Sequence, residues 1–341
     1  MNAAQGLLVV LWIGLTLYAL LAGADFGAGF WDLFAGWDER GRPQRTLIEH
    51  VIGPVWEANH VWLIFVLVLL WTGFPPVFAA VMSTLYIPLT AAALGIIARG
   101  AAFAFRKAST GLPRQRLFGA AFALSSVVTP FFLGAAAGAI ASGRVPPGLA
   151  AGHPFTSWLN PTGVLGGVLA VGTCAYLAAC YLCHDAVRLG AADLAEGFRR
   201  RALGTGVAVG AVAVGGIAVL GTDAPELFHG LTHRGLPAVL ASALAGAASL
   251  VLLLGRRYVA VRVAAAVAVA AVLWGWALAQ YPFMLPPGTR YPDVAATRSV
   301  LDATLVVTAI GTALLLPSLY WLLRLFQGTE ADLPDTFTEA G

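Results

Sequence analysis

The protein has 341 residues, of which 59% are hydrophobic and 11% are charged, and its formal net charge is +3. Soluble domains carry about 25% charged residues. Such a low charge content excludes a water-exposed globular surface, and no basic surface suited to nucleic acid is present. Because the lipid interior offers the backbone no hydrogen-bond partners and the apolar runs are long and unbroken, we predict an all-α membrane protein.

Nine apolar runs are long enough to span a bilayer as helices. The first run exceeds the hydrocarbon thickness, so we expect it to tilt, break or protrude, with an irregular point at GADFGAG, 23–29. The N-terminal sequence MNAAQGLL lacks the basic start of a cleaved signal peptide, which predicts that this run is retained. The nine runs cover about 6–35, 52–73, 77–105, 117–142, 161–187, 200–221, 235–254, 258–280 and 300–326.

Arginine and lysine are distributed unequally between the two sets of connections. Sixteen of the 20 lie around the connections after the first, third, fifth and seventh helices or at the end of the ninth. The excess of positive charge in cytoplasmic loops then predicts an external N-terminus and a cytoplasmic C-terminus. The four basic residues on the opposite side are Arg144, Arg234, Arg290 and Arg298.

Two acidic residues are predicted at a similar depth, toward the cytoplasmic half of the bilayer. Asp25 lies far along the first helix, whereas Glu57 lies near the start of the second. A carboxyl group in a dry environment can hold or pass a proton near neutral pH, so Glu57 and Asp25 are predicted to form a proton pathway. Asn59 and His60 are expected beside them as hydrogen-bonding neighbours. Pairing of Glu57 with an arginine, or a helix-capping role, remains an open alternative.

Cysteine and histidine raise the question of metal or haem binding. Cys174, Cys180 and Cys183 fall in one apolar run and are predicted to be packing residues, with a disulfide or a metal pair as the alternative. His60 and His184 lie within or at the ends of predicted spans and are alternative candidates for axial haem ligands. We expect no metal and no cofactor to be bound directly by this chain.

The stretch GPVWEANHVWLIF, which begins at Gly53, resembles the signature of subunit II of cytochrome bd-type quinol oxidases. GADFGAG is similar to the acid-aromatic-Gly-x-Gly pattern of that family. LNPTGVLGG at 159–167, YPFMLPP at 281–287 and DAT at 302–304 also match, in order. The resemblance covers essentially the whole chain.

The resemblance implies a fold of two four-helix bundles and one peripheral helix. The first bundle would cover 1–142 and the second, with its outer loops, 143–299. The ninth helix would cover 300–327, and 328–341 would form a mobile acidic cytoplasmic tail. The position of the division between the bundles, near 143, is an expectation from the number of helices.

The resemblance also implies a role in the bacterial plasma membrane. Subunit II of the family forms a heterodimer with subunit I, which binds the b- and d-type haems, and the complex oxidises quinol and reduces oxygen to water. In some members subunit II holds a structural quinone. Small single-helix accessory subunits and lipid are further expected partners.

Glu57 matches the family acid that is thought to deliver cytoplasmic protons, and Asp25 matches the acid of the first helix. Many members have Asp-Gly in place of Glu57-Ala58, and Gln or Glu in place of His60. In this respect the chain is similar to the cyanide-insensitive branch. Two other classes of function stay open, a secondary transporter with a broken first helix and a pure scaffold in which every buried acid is paired with arginine.

Overall fold

The computed structural model describes residues 2–36, 41–52, 56–108 and 112–328, and it describes their side chains except at 51–52, 56–58, 107–108, 112–113, 115 and 322–328. Two predicted features, the acidic tail from 329 onward and the Gly53–Val55 part of the signature, lie outside these ranges.

The first helix, α1, runs from Ala3 to Leu33 without interruption. The side chain of Asn2 caps it by accepting a hydrogen bond from the Gln5 backbone N–H at 2.8 Å. The expectation of an irregular point at GADFGAG was therefore wrong. Its glycines serve close packing instead, since a Cβ at Gly27 would overlap the carbonyl oxygen of Cys174.

The segment between the first two predicted spans contains a helix that the hydropathy pattern did not predict. This helix, α2, spans Arg42–Ile52, and Leu47 and Ile48 on it are almost fully buried. It is followed by α3, Trp56–Gly73, which corresponds to the second predicted span.

The third predicted span is two helices, α4, Pro75–Thr84, and α5, Tyr86–Ala108. Pro88 explains the break, because proline lacks the N–H that would bond to the carbonyl of Thr84 and its ring would clash with that carbonyl. Leu85 lies at the break and is fully buried.

The remaining helices follow the predicted order. The side chain of Asn160 caps the helix Pro161–Arg188, α7, by accepting a hydrogen bond from the Gly163 backbone N–H at 2.9 Å. The helix predicted to begin at 200 begins eight residues earlier, so Arg199, Arg200 and Arg201 lie inside it. The elements are α6 Leu112–Ala141, α7 Pro161–Arg188, α8 Ala192–Asp223, α9 Pro225–Thr232, α10 Leu236–Leu254, α11 Tyr258–Gln280, β1 Phe283–Leu285, β2 Thr289–Arg290, α12 Tyr291–Val294 and α13 Arg298–Gly328.

Eight helices of the described chain are long and apolar enough to cross a membrane, namely α1, α5, α6, α7, α8, α10, α11 and α13. The shorter α3 is also apolar. The all-α membrane fold is thereby confirmed. The connection between α11 and α13 forms a small antiparallel hairpin in which Phe283 pairs with Arg290.

The position of α1 determines where a polar site can form. It packs against α3, α6 and α7, and its side chains Ala28 and Trp31 belong to the same core cluster as Ala175–Ala179 of α7. The Trp31 indole N–H donates to the Ala175 carbonyl at 2.8 Å. This core joins residues from both sides of 143, so it does not mark a boundary between two bundles there. The division into two bundles stays a prediction.

Candidate functional site

A buried ion pair between α1 and α5 forms the centre of the candidate site. The two guanidinium nitrogens of Arg99 donate to the two carboxylate oxygens of Asp25, at 2.9 Å and 2.7 Å. Arg99 also donates to the Asp25 backbone carbonyl at 3.1 Å. The two side chains are only 2% and 3% exposed, so the pair is closed to solvent and to lipid. Such a bidentate contact fixes both side chains.

The third helix of the site is α6, which supplies a hydroxyl and an aromatic ring to Arg99. The Nε of Arg99 donates to Ser126 Oγ at 3.0 Å, and Ser126 in turn donates to the Phe122 carbonyl at 2.7 Å. The guanidinium carbon lies 4.7 Å from the Phe122 ring centroid and 5.2 Å from that of Phe26. These contacts satisfy and cover the buried cation. Gly29 permits them, since a Cβ there would overlap Ser126.

Arg99 is the main correction to the sequence analysis. The charge distribution places Arg99 at a cytoplasmic connection, but the residue lies within α5 and is among the most buried large side chains described. Its charge therefore belongs to the interior and not to a loop. The remaining distribution of basic residues still favours the predicted orientation, which stays a prediction.

A second ion pair repeats the first one two turns further along the same helices. Arg106 of α5 donates to Asp32 of α1 at 2.8 Å and also contacts Glu49 of α2 at 2.9 Å. The Asp32 side chain is 1% exposed and that of Glu49 is 39% exposed. Sequence reasoning missed this pair. The sequence signal for this pair is a matching spacing on the two helices. Asp25 and Asp32 are seven residues apart and lie on one face of α1, and Arg99 and Arg106 are likewise seven residues apart on one face of α5.

The α3 helix brings the polar residues of the signature against the same part of α1. Asn59 is buried, and its amide donates to the Leu21 carbonyl at 3.4 Å. The His60 ring packs 5.7 Å from the Phe26 ring and 6.4 Å from the Tyr18 ring, measured between centroids. Asn59 and His60 therefore lie beside the segment of α1 that carries Asp25.

Glu57 lies in the first turn of α3, three residues before His60, and its side chain is outside the described part of the chain. Because α1 and α3 pack together and run in opposite directions, one turn before His60 is a step toward the depth of Asp25. The predicted proximity of Glu57 and Asp25 stays a prediction.

The other candidate residues have structural partners. Cys174, Cys180 and Cys183 are buried, free thiols. At the end of α7 the His184 Nδ1 lies 3.2 Å from Asp185 and 3.1 Å from Arg262. Near the start of α13, Asp302 lies 3.7 Å from the exposed Arg298. No group of three or more metal-binding side chains occurs among the residues that the structure describes.

The surroundings of His60 do not fit a haem ligand. Its ring is flanked by Tyr18 and Phe26, which belong to a packed apolar cluster together with Trp62 and Cys174. Axial haem ligation by His60 is therefore not supported by this packing.

Comparison with known proteins identifies the family. The model of the family described as Cytochrome bd terminal oxidase subunit II matches residues 4–326. The chain belongs to this family. The resemblance found in the sequence is thus confirmed at the level of the family, whereas assignment to the cyanide-insensitive branch stays a prediction.

Individual relatives agree with this assignment. The chain is 31% identical over 169 residues to cytochrome bd ubiquinol oxidase subunit 2 of Bacillus subtilis, which covers 49% of this chain and 48% of the relative. It is 30% identical over 170 residues to cytochrome bd-I ubiquinol oxidase subunit 2 of Escherichia coli K12, covering 48% and 44%. The chain thus spans about half the length of the curated relatives it matches.

A solved structure supports the fold over nearly the whole chain. A chain in the structure of bd oxidase from Geobacillus thermodenitrificans superposes with a TM-score of 0.76 and 24% identity, covering 96% of this chain and 99% of that one. At this identity the match bears on the fold alone and not on the roles of single residues.

Proposed function

We propose that this chain is the haem-free subunit of a cytochrome bd-type quinol oxidase of the bacterial plasma membrane. It forms a heterodimer with the haem-bearing subunit I, whose b- and d-type haems carry out quinol oxidation and the reduction of oxygen to water. Family membership and the relatives named ubiquinol oxidase subunit 2 support this assignment. Within the complex, the chain stabilises subunit I and helps to deliver protons from the cytoplasm.

The buried Asp25–Arg99 pair is the observation that carries the proton-delivery proposal. An ion pair in a membrane interior costs more to bury than apolar side chains of similar volume, so its presence points to a use beyond packing. Asn59 and His60 extend this polar region along α3, toward the turn that contains Glu57.

We assign different roles to the two acids. Both carboxylate oxygens of Asp25 are engaged by Arg99, so a proton on Asp25 would displace existing hydrogen bonds. Glu57 is therefore the carboxyl group that exchanges protons, and the Asp25–Arg99 pair provides fixed charges that position the route. Asn59 and His60 are the hydrogen-bonding neighbours of this proton route.

A pure scaffold is the second candidate, and one observation favours it. Asp25 and Asp32, the two buried acids of α1, are each paired with an arginine of α5. Such pairs could serve only to hold α1 and α5 together. On that reading, neutralising Glu57 would leave turnover intact.

The Glu57→Gln variant, purified as the complex with its partner subunit, separates these functions. We expect quinol-dependent oxygen consumption to fall about 100-fold, the lower range for loss of a positioned proton-transfer group, while the haem absorption bands persist. Glu57→Asp keeps the carboxyl group and should retain most of the activity. Glu226→Gln, an exposed glutamate on α9, is the matched control. Unchanged turnover in Glu57→Gln, with the haem bands intact, would remove Glu57 from the route and favour the scaffold.

A further inference from the structure

A cluster of arginines surrounds one carboxylate where α8 begins. Arg199 donates to both carboxylate oxygens of Glu196, at 2.9 Å and 2.7 Å, and Arg200 donates to Oε1 at 3.1 Å. Arg256, in the turn between α10 and α11, lies 3.5 Å from Oε2. Three guanidinium groups thus share one carboxylate. The cluster has a net charge of about +2, and this excess is open to an anion because Arg200 and Arg256 are 77% and 68% exposed.

A cavity adjoins this cluster. It has a volume of about 380 Å³ and opens between the end of α7, the start of α8 and the α10–α11 turn. Glu196 and Arg256 form its charged wall, and the remaining wall is apolar apart from a tyrosine. The lining residues are Val187, Ala192, Ala195, Glu196, Arg256 and Tyr258.

The turn between α10 and α11 holds Arg256 at the cavity. The backbone N–H groups of Arg256 and Arg257 bond to the carbonyls of Leu253 and Leu252, at 3.2 Å and 3.0 Å. Arg256 itself has a φ of +55°, a left-handed conformation that is unusual for a residue other than glycine. The turn is therefore tightly defined, and its guanidinium group has little backbone freedom to lose when an anion binds.

Exposed apolar side chains lie among the lining residues of the cavity or close to them in sequence. Val187 is 48% exposed, Leu254 is 64% exposed and Val259 is 68% exposed. These residues lie at the ends of helices that are long and apolar enough to cross the membrane. A ligand that fits this surface carries an anionic group for the arginines and an apolar part for the flanking surface. This combination favours a phospholipid over a free inorganic anion.

We propose that the Glu196 cluster and its cavity bind the phosphate of an anionic phospholipid headgroup. Arg200 and Arg256 supply charge-assisted hydrogen bonds to the phosphate. Arg199 keeps Glu196 in place and limits the repulsion between that carboxylate and the lipid. The acyl chains lie along the exposed apolar side chains of α7, α10 and α11. The site is independent of the proton route and of the proposed oxidase function.

Lipid titration of the full-length chain in detergent, followed by native mass spectrometry, tests the proposal. Phosphatidylglycerol, phosphatidylcholine with the same acyl chains, and inorganic phosphate are the three ligands. We expect phosphatidylglycerol to bind most tightly, and Arg200→Gln/Arg256→Gln to weaken its binding about 30-fold, or about 2 kcal/mol for two arginines. Arg116→Gln removes an exposed charge from α6 and should leave the affinity unchanged.

A second variant has the opposite expected sign. Among the residues that the structure describes, Glu196 is the only carboxylate that contacts the three arginines. Glu196→Gln removes it, so phosphatidylglycerol should bind about fivefold more tightly. Damage to folding would instead weaken binding. The proposal is overturned if phosphatidylcholine or inorganic phosphate binds as tightly as phosphatidylglycerol, if Arg116→Gln weakens binding as much as the double variant, or if Glu196→Gln weakens it.

Discussion

The Asp25–Arg99 pair should couple α1 to α5 more strongly than any exposed ion pair of the chain. Arg99 makes three hydrogen bonds to Asp25 and one to Ser126. Replacing Arg99 by methionine removes all four hydrogen bonds and leaves a buried carboxylate without its counter-charge. Asp25→Leu likewise leaves the buried guanidinium group without its counter-charge. Each single variant should lower the free energy of unfolding by about 3–5 kcal/mol.

The double variant Asp25→Leu/Arg99→Met should be less destabilised than either single variant, because two apolar side chains of similar volume replace a pair that was costly to bury. The expected coupling energy is therefore at least about 3 kcal/mol. Arg298 and Asp302 provide the control, since their side chains are 92% and 56% exposed and 3.7 Å apart. The same cycle on this exposed pair should give less than about 1 kcal/mol.

The assay is the unfolding of the full-length chain in mixed micelles, followed by tryptophan fluorescence as a denaturing detergent is added. All four members of each cycle are measured under one condition. If the effects of Asp25→Leu and Arg99→Met simply add in the double variant, the pair does not act as a unit. The ion pair would then not be the structural centre of the site.

Two further predictions concern packing. Gly27→Ala should destabilise the chain by more than about 2 kcal/mol, because the added methyl group overlaps the Cys174 carbonyl and the backbone cannot yield easily, whereas Gly210→Ala, which meets no neighbouring atom, should be neutral or slightly stabilising. The same unfolding titration measures both, and equal behaviour of the two variants would contradict the close approach of α1 and α7. The three buried cysteines, Cys174, Cys180 and Cys183, should resist a maleimide reagent in the folded chain and should all react after denaturation. Rapid labelling in the folded state would contradict their burial.

The membrane-spanning segments could be predicted from composition and periodicity because the physical requirement is local. A run of apolar side chains about as long as the bilayer is thick must form a helix, whatever surrounds it. All nine predicted runs correspond to helices, although Pro88 divides the third one. The start of α7 could also be predicted, since Asn160 and Pro161 form a local capping signal.

The helix α2 could not be predicted in this way. Its sequence is polar overall, so it resembles a connection when read by hydropathy. Leu47 and Ile48 become buried only because α1 and α7 pack against this helix. Gln44 shows the same dependence, since it donates to the Trp31 carbonyl at 2.7 Å and accepts from Arg201 at 2.8 Å.

The sequence by itself determined that this chain is a helical membrane protein of the bd-type subunit II family, and it singled out Asp25, because an acid among glycines in an apolar helix stands out without any structure. Only the tertiary structure decided that Arg99 and Arg106 are interior partners of Asp25 and Asp32. The reason is that a charge in a helix can be stabilised by water, by a headgroup or by an opposite charge on another helix. Which of these it meets depends on how the helices pack, and residues 74 positions apart are brought together only by that packing.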